Sequence, residues 1–175
     1  KPCLLNPGVG NPDHGYETQL LRPAAEQAVR YGGYLGGHVY IGFRYADRYC
    51  SLDGAAKHFS MRPLLSWDPE FRAVGLYPQY LFTEGGGIYI DPAAGMPSAT
   101  AGWRYRDTCK GDWAWYVEKK MQFRAMVAAW NKEHGNRARG MMEFTWPGKG
   151  KWEHFGATRE QLQDQAARIL ATPLP

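Results

Sequence analysis

The sequence is poor in the features that most simply assign a protein to a class. Cysteine occurs three times in 175 residues, at Cys3, Cys50 and Cys109. An odd number at such wide spacing fits neither a disulfide framework nor a CxxC metal knuckle, so the expectation is buried thiols, with one bridged pair as the alternative. No apolar run approaches the ~20 residues of a membrane span. The opening Lys1-Pro2-Cys3-Leu4-Leu5-Asn6 lacks the apolar stretch of a signal peptide. It also lacks an initiator Met, so the chain reads as processed or partial, and secretion stays open.

Charge of one sign is missing as well. The net charge is +4, with Lys and Arg interspersed among Asp and Glu, which leaves no basic stripe for a polyanion and excludes nucleic acid as a partner. There is no HExxH, no CxxC and no Asp-rich calcium loop, although Asp91, Asp107 and Asp112 lie in or beside one long loop, so no metal site is expected. Gly85-Gly86-Gly87 lacks the Lys-Ser/Thr of a phosphate-binding loop and opens no helix. No cofactor is expected. With no internal repeat, low-complexity tract or linker, residues 1–175 read as a single domain.

What the sequence does have is aromatic side chains, seven Trp, eleven Tyr and seven Phe, which either fill a core or line a cleft. It also has a regular alternation of elements. Residues 3–5 read as a short strand that stops at Asn6-Pro7-Gly8. From Leu20 the apolar residues Leu21, Ala24, Ala25, Ala28 and Val29 recur at helical spacing, Pro23 falls in a first turn, and Gly32-Gly33 stops the helix. A strand follows over 34–41, then a polar aromatic loop up to about His58, then a helix over 61–74 despite Pro63 and Pro69.

Gln79-Tyr80-Leu81-Phe82-Thr83 is bounded by Pro78 and by Glu84 with its three glycines, which predicts a strand. A long loop runs from Ile88 to Gly111, and loops of that length usually carry function. Residues 113–134 are predicted helical, with Tyr116, Phe123, Met126, Val127 and Trp130 near one face and Gly135 as the stop. The segment from Gly140 to Thr145 reads as a strand, and Thr158 with Gln161 forms a capping box for a helix stopped near Pro173. No Asn-Gly or Asp-Gly pair joins any two of these strands, so the alternation predicts crossover connections and a parallel sheet.

In a parallel α/β fold the reactive side chains stand at the carboxyl ends of strands, where the following loops gather. Three strand ends carry conspicuous groups. Glu84 follows a rigid strand and precedes glycines whose bare backbone leaves room for a substrate; it is either a catalytic carboxylate or a solvated residue opening a loop. His38 and Tyr40 share one face by strand alternation and either contact a ligand or are satisfied in the core. Glu143 and Trp146 end the last strand. Trp146, and to a lesser degree Trp103 and Trp152, offer stacking faces or packing, whereas packing is the better expectation for Trp113, Trp115 and Trp130 on the long helix.

These residues carry a resemblance. The segment Leu81-Phe82-Thr83-Glu84-Gly85-Gly86 resembles the end of the seventh strand in clan A retaining glycoside hydrolases, where the Glu is the catalytic nucleophile. His38-Val39-Tyr40 is similar to the H-x-Y of their sixth strand, and Met141–Trp146 resembles the eighth, which ends in a sugar-stacking Trp. The resemblance implies an α/β fold of the (β/α)8 TIM-barrel type, of which this chain covers about the last four βα units, strands five to eight. It implies cleavage of glycosidic bonds with retention, with Glu84 as nucleophile and His38, Tyr40, Glu143, Trp103 and Trp146 binding the carbohydrate.

Retention requires two carboxyl groups ~5–5.5 Å apart, one to protonate the leaving oxygen and one to attack the anomeric carbon. The family's acid/base, usually an Asn-Glu at the end of the fourth strand, is absent from this sequence and is expected upstream. The implied partners are a carbohydrate substrate and either the remaining half of the barrel or a second copy. Two other functions fit the same residues. One is a barrel that binds glycans without cleaving them. The other is a lytic transglycosylase with Glu84 as its lone acid, since Gly140-Met141-Met142-Glu143-Phe144 is similar to the G-hydrophobic-M-Q segment of that family.

Overall fold

The computed structural model describes residues 1–5, 7, 15–39, 43–45, 48–51, 60–85, 87–90, 100–102, 112–143 and 156–173, of which 43–45, 48–51, 84–85, 87–90, 100–102 and 141–143 are described by their backbone. Eight strands lie among them: β1 (Cys3–Leu4), β2 (Tyr34–Val39), β3 (Phe43–Tyr45), β4 (Arg48–Ser51), β5 (Gln79–Gly85), β6 (Gly87–Ile90), β7 (Thr100–Gly102) and β8 (Ala138–Glu143). Five α-helices accompany them: α1 (Tyr16–Leu20), α2 (Arg22–Arg30), α3 (Asp68–Ala73), α4 (Trp113–His134) and α5 (Arg159–Ala171).

The frame is a four-stranded sheet in the order β1-β2-β5-β8, with every neighbouring pair parallel. The chain therefore adds strands in sequence order, and each crossover carries helix. Alternate residues of the two central strands, Leu35 and Val39 of β2 and Tyr80 and Phe82 of β5, belong to one buried cluster with Leu21 and Ala25 near α2, Phe71 of α3, and Tyr116, Phe123 and Trp130 of α4. One face of the sheet thus receives all of these helices, as the period-2 alternation of strands and the 3.6-residue period of helices require. Phe82 meets Phe123 edge-on at 5.5 Å and Tyr80 meets Trp130 at 6.2 Å. Each such buried ring contributes roughly 1.5–3 kcal/mol over exposure.

Local chemistry explains where the helices start and stop. In α4 the Asp112 side chain accepts from the Trp115 backbone N–H at the amino end, and Gly135 closes the carboxyl end with φ 81°, a left-handed conformation that side chains disfavour. The capping box of Thr158 and Gln161 opens α5 as the sequence predicts. Between β2 and β5 the two prolines of the predicted 61–74 helix are accommodated by a π-helical turn, Pro63–Trp67, running into α3, with the Asp68 N–H donating to the Pro63 carbonyl five residues back. Pro69 has no N–H to give the ordinary four-residue bond, and the wider turn absorbs that loss.

Two expectations are corrected. The 41–58 and 88–111 stretches are not loops throughout, because β3 and β4 pair antiparallel, β6 and β7 pair antiparallel, and β3 pairs parallel with β6 in a second sheet of order β4-β3-β6-β7. The β3–β4 connection is Ala46-Asp47, without the Gly or Asn that marks a two-residue hairpin in sequence. Second, Cys3 is an exposed free thiol, because β1 is a two-residue edge strand; Cys50 is described by backbone alone and Cys109 lies outside the described residues. Helix α5, predicted in sequence, buries no residue, and its Leu170 is 86% exposed.

Candidate functional site

Because β2, β5 and β8 are parallel and adjacent, their carboxyl ends share one edge of the sheet. The backbone register there pairs His38 with Glu84 and Gly85 with Glu143. Three of the residues singled out in sequence are thus brought to neighbouring ladder positions, across strand spacings of ~4.8 Å. His38 is half-buried, and its backbone N–H donates to the Pro7 carbonyl at 3.2 Å. Tyr40, Trp103 and Trp146 lie outside the described residues, as does Trp152.

The register at this edge is irregular. Between β2 and β5 it runs from Gly37 opposite Phe82 to His38 opposite Glu84, which leaves Thr83 as an extra residue on β5. Against β8 it also shifts between Phe82 and Gly85. A strict alternation would continue the helix-packed face from Tyr80 through Phe82 to residue 84. The bulge breaks that backbone alternation immediately before Glu84. A second shift, between Leu81 and Phe82, inserts Gly140 on β8 with φ 51°. From the same edge the chain passes directly into the second sheet, since β6 follows β5 after Gly86 alone and β3 follows β2 after three residues.

The opposite edge, where β5 and β8 begin, holds a buried ion cluster that sequence reasoning missed. Asp68, fully buried at the start of α3, accepts from Arg137 Nη1 at 2.7 Å and Nη2 at 3.0 Å. It also accepts from Arg72 Nε at 2.8 Å and from the Tyr80 hydroxyl at 3.2 Å. Arg137 further donates to the carbonyls of Pro78 and His134 and lies over the Trp130 ring at 5.1 Å. Burial first, and then the Asp68 charge, push the Tyr80 phenol well above its ordinary pKa, so it remains a donor to Asp68. This cluster ties α3 to the starts of two strands, at the end where parallel α/β folds are stabilised rather than where they react.

A second missed residue is Lys120, 4% exposed on α4. Its sequence signal was legible, for it falls at helical spacing between Tyr116 and Phe123 on the buried face. Its amine donates to Gln165 Oε1 of α5 at 2.9 Å and lies 4.9 Å from the centre of the Tyr116 ring. Burial lowers its pKa to about 7. Among the described residues no group of three or more His, Cys, Asp or Glu is placed to hold a metal ion, and no helix is long and apolar enough to cross a membrane.

No family model, curated protein sequence or solved structure matches the chain. It is an α/β protein with a four-stranded parallel sheet, and its chemistry has to be argued from the residues at that sheet's two ends.

Proposed function

We propose that the chain is a carbohydrate-active domain of the (β/α)8-barrel glycoside hydrolase type, spanning about its last four βα units, in which Glu84 is the nucleophile of a retaining mechanism. The observation that carries this reading is the shared carboxyl edge, where Glu84 sits in register with His38 on one neighbouring strand and one position from the partner of Glu143 on the other. The sequential strand order also supports it. A doubly wound sheet reverses order at a switch point, whereas a barrel adds strands in one direction with its helices on one face.

In this mechanism the Glu84 carboxylate attacks the anomeric carbon, the leaving oxygen departs with a proton from a second carboxyl group, and water then releases the sugar from the glycosyl ester. His38 and Tyr40 hydrogen-bond sugar hydroxyls, Glu143 contributes a further acceptor, and Trp146 and Trp103 stack on pyranose faces. The test is Glu84→Gln in the full-length protein, assayed on a panel of chromogenic aryl glycosides. Turnover falls by at least 10³-fold, because the covalent step has lost its nucleophile, while the far-ultraviolet circular dichroism is unchanged. Retained turnover, or no turnover of any panel member by the unsubstituted protein, refutes the reading.

A further inference from the structure

A cavity of about 370 Å³ lies between α4, α5 and the first half of β8, away from the carboxyl edge that carries Glu84. It falls within the range of small-molecule sites. Its apolar walls come from Phe82 of β5, Phe123 and Val127 of α4 and Ile169 of α5. Its charged groups are all cationic: Lys120 and Arg124 from α4 and Arg139 from β8, with no Asp or Glu among the described lining residues. Such a lining is complementary to one chemical class, a hydrocarbon body with a single anionic end. Lys120 is the buried member of the cationic set, and its amine reaches Gln165, also in the lining.

We propose that this cavity binds a small amphipathic carboxylate, its hydrocarbon along Phe82, Val127 and Ile169 and its carboxylate accepting from Lys120. Burial lowers the pKa of this amine to about 7. An anion beside it raises that pKa again, so binding takes up a proton. Access does not require the core to open. Helix α5 buries no residue and is held by the Trp113 indole on Asp164, by Lys120 on Gln165 and by Arg124 on the Thr172 carbonyl.

Among the described residues, the charged groups on the elements packed around Lys120 are Arg139 and Glu143 on β8, Arg159, Glu160, Asp164 and Arg168 on α5, Glu84 on β5, and Glu118, Lys119 and Arg124 nearest it on its own helix; Glu84 and Glu143 stand at the far, carboxyl ends of their strands, and of β5 it is Phe82 that lines the cavity. Asp164 is held by the Trp113 indole and by Arg168, and its carboxyl lies below the usual range, chiefly through the Arg168 bond. It keeps its charge throughout the window in which Lys120 titrates.

The test is calorimetric titration of the whole chain with octanoate, which stays ionised from pH 6.5 to 8.5, against octylammonium and octanol of matched length. The expected result is saturable one-to-one binding of octanoate that weakens about tenfold per pH unit above the free-amine pKa, with net proton uptake at pH 7.5 and much weaker binding of both controls. Lys120→Met abolishes the pH dependence and weakens binding at least tenfold, and Ala128→Phe, at the cavity wall, blocks binding while leaving the amine in place. Absence of octanoate binding, binding independent of pH, or equal binding of octylammonium overturns the proposal.

Discussion

At the scale of single residues, two buried charges have opposite consequences. Asp68 is matched by two guanidinium groups and a phenol, and removing its charge strands Arg137, whose side chain is 12% exposed. Asp68→Asn is expected to cost about 3–5 kcal/mol, the range for breaking one partner out of a buried pair, measured by urea unfolding. At Lys120 it is burial that sets the ionisation. Its amine titrates at about 7 in the fold and near 10.4 unfolded. Between those values the unfolded chain binds more protons, so stability rises with pH across that window, and the full penalty applies below pH 7. Lys120→Met should therefore stabilise the protein by about 1–4 kcal/mol at pH 6. The gain should shrink towards zero near pH 10, as followed by thermal unfolding at several pH values; a gain that grows with pH contradicts the burial of that amine.

At the scale of elements, stability is unevenly spread. Helix α4 is capped at both ends and buries Tyr116, Phe123 and Trp130, whereas α5 buries no residue and is held by its capping box and by polar contacts from α4. Thr158→Ala removes the acceptor for the Gln161 N–H and is expected to cost α5 about 1 kcal/mol. Hydrogen exchange should show faster protection loss across 161–171 and no change in the central strands.

The same contrast marks what the sequence revealed. The long helix, its Gly135 stop, the Thr158 capping box and the four parallel strands were all legible, because each rests on periodicity or on a local donor-acceptor pattern. The hairpin through Ala46-Asp47 was not, since it lacks turn glycines, and neither was the Thr83 bulge, which exists only as a mismatch between partners distant in sequence. The Asp68–Arg137 pair, 69 residues apart, leaves no local trace either. Of the candidate site, the chain order of His38, Glu84 and Glu143 was visible in sequence, but their meeting at one edge required the register.

At the scale of the whole molecule, the fold is polar in the sense of having two unlike ends. The end where β5 and β8 begin is locked by Asp68, Arg137 and Tyr80; the end where the strands finish is bulged, glycine-rich and continuous with the second sheet. A parallel α/β fold in which one end is tied by buried ion pairs leaves the carboxyl ends of its strands to carry chemistry, and it is there that the proposed nucleophile Glu84 stands. The central claim is that Glu84 attacks a sugar's anomeric carbon, and it is tested most directly by trapping. A 2,4-dinitrophenyl 2-deoxy-2-fluoroglycoside needs no proton donor, because dinitrophenolate leaves unaided, while the fluorine slows hydrolysis of the ester. Across gluco-, galacto-, manno- and xylo-configured reagents, one is predicted to add a single fluoroglycosyl mass to the peptide containing Glu84, and to add nothing to the Glu84→Gln variant. Labelling that persists in that variant, or no labelling by any reagent, contradicts the account.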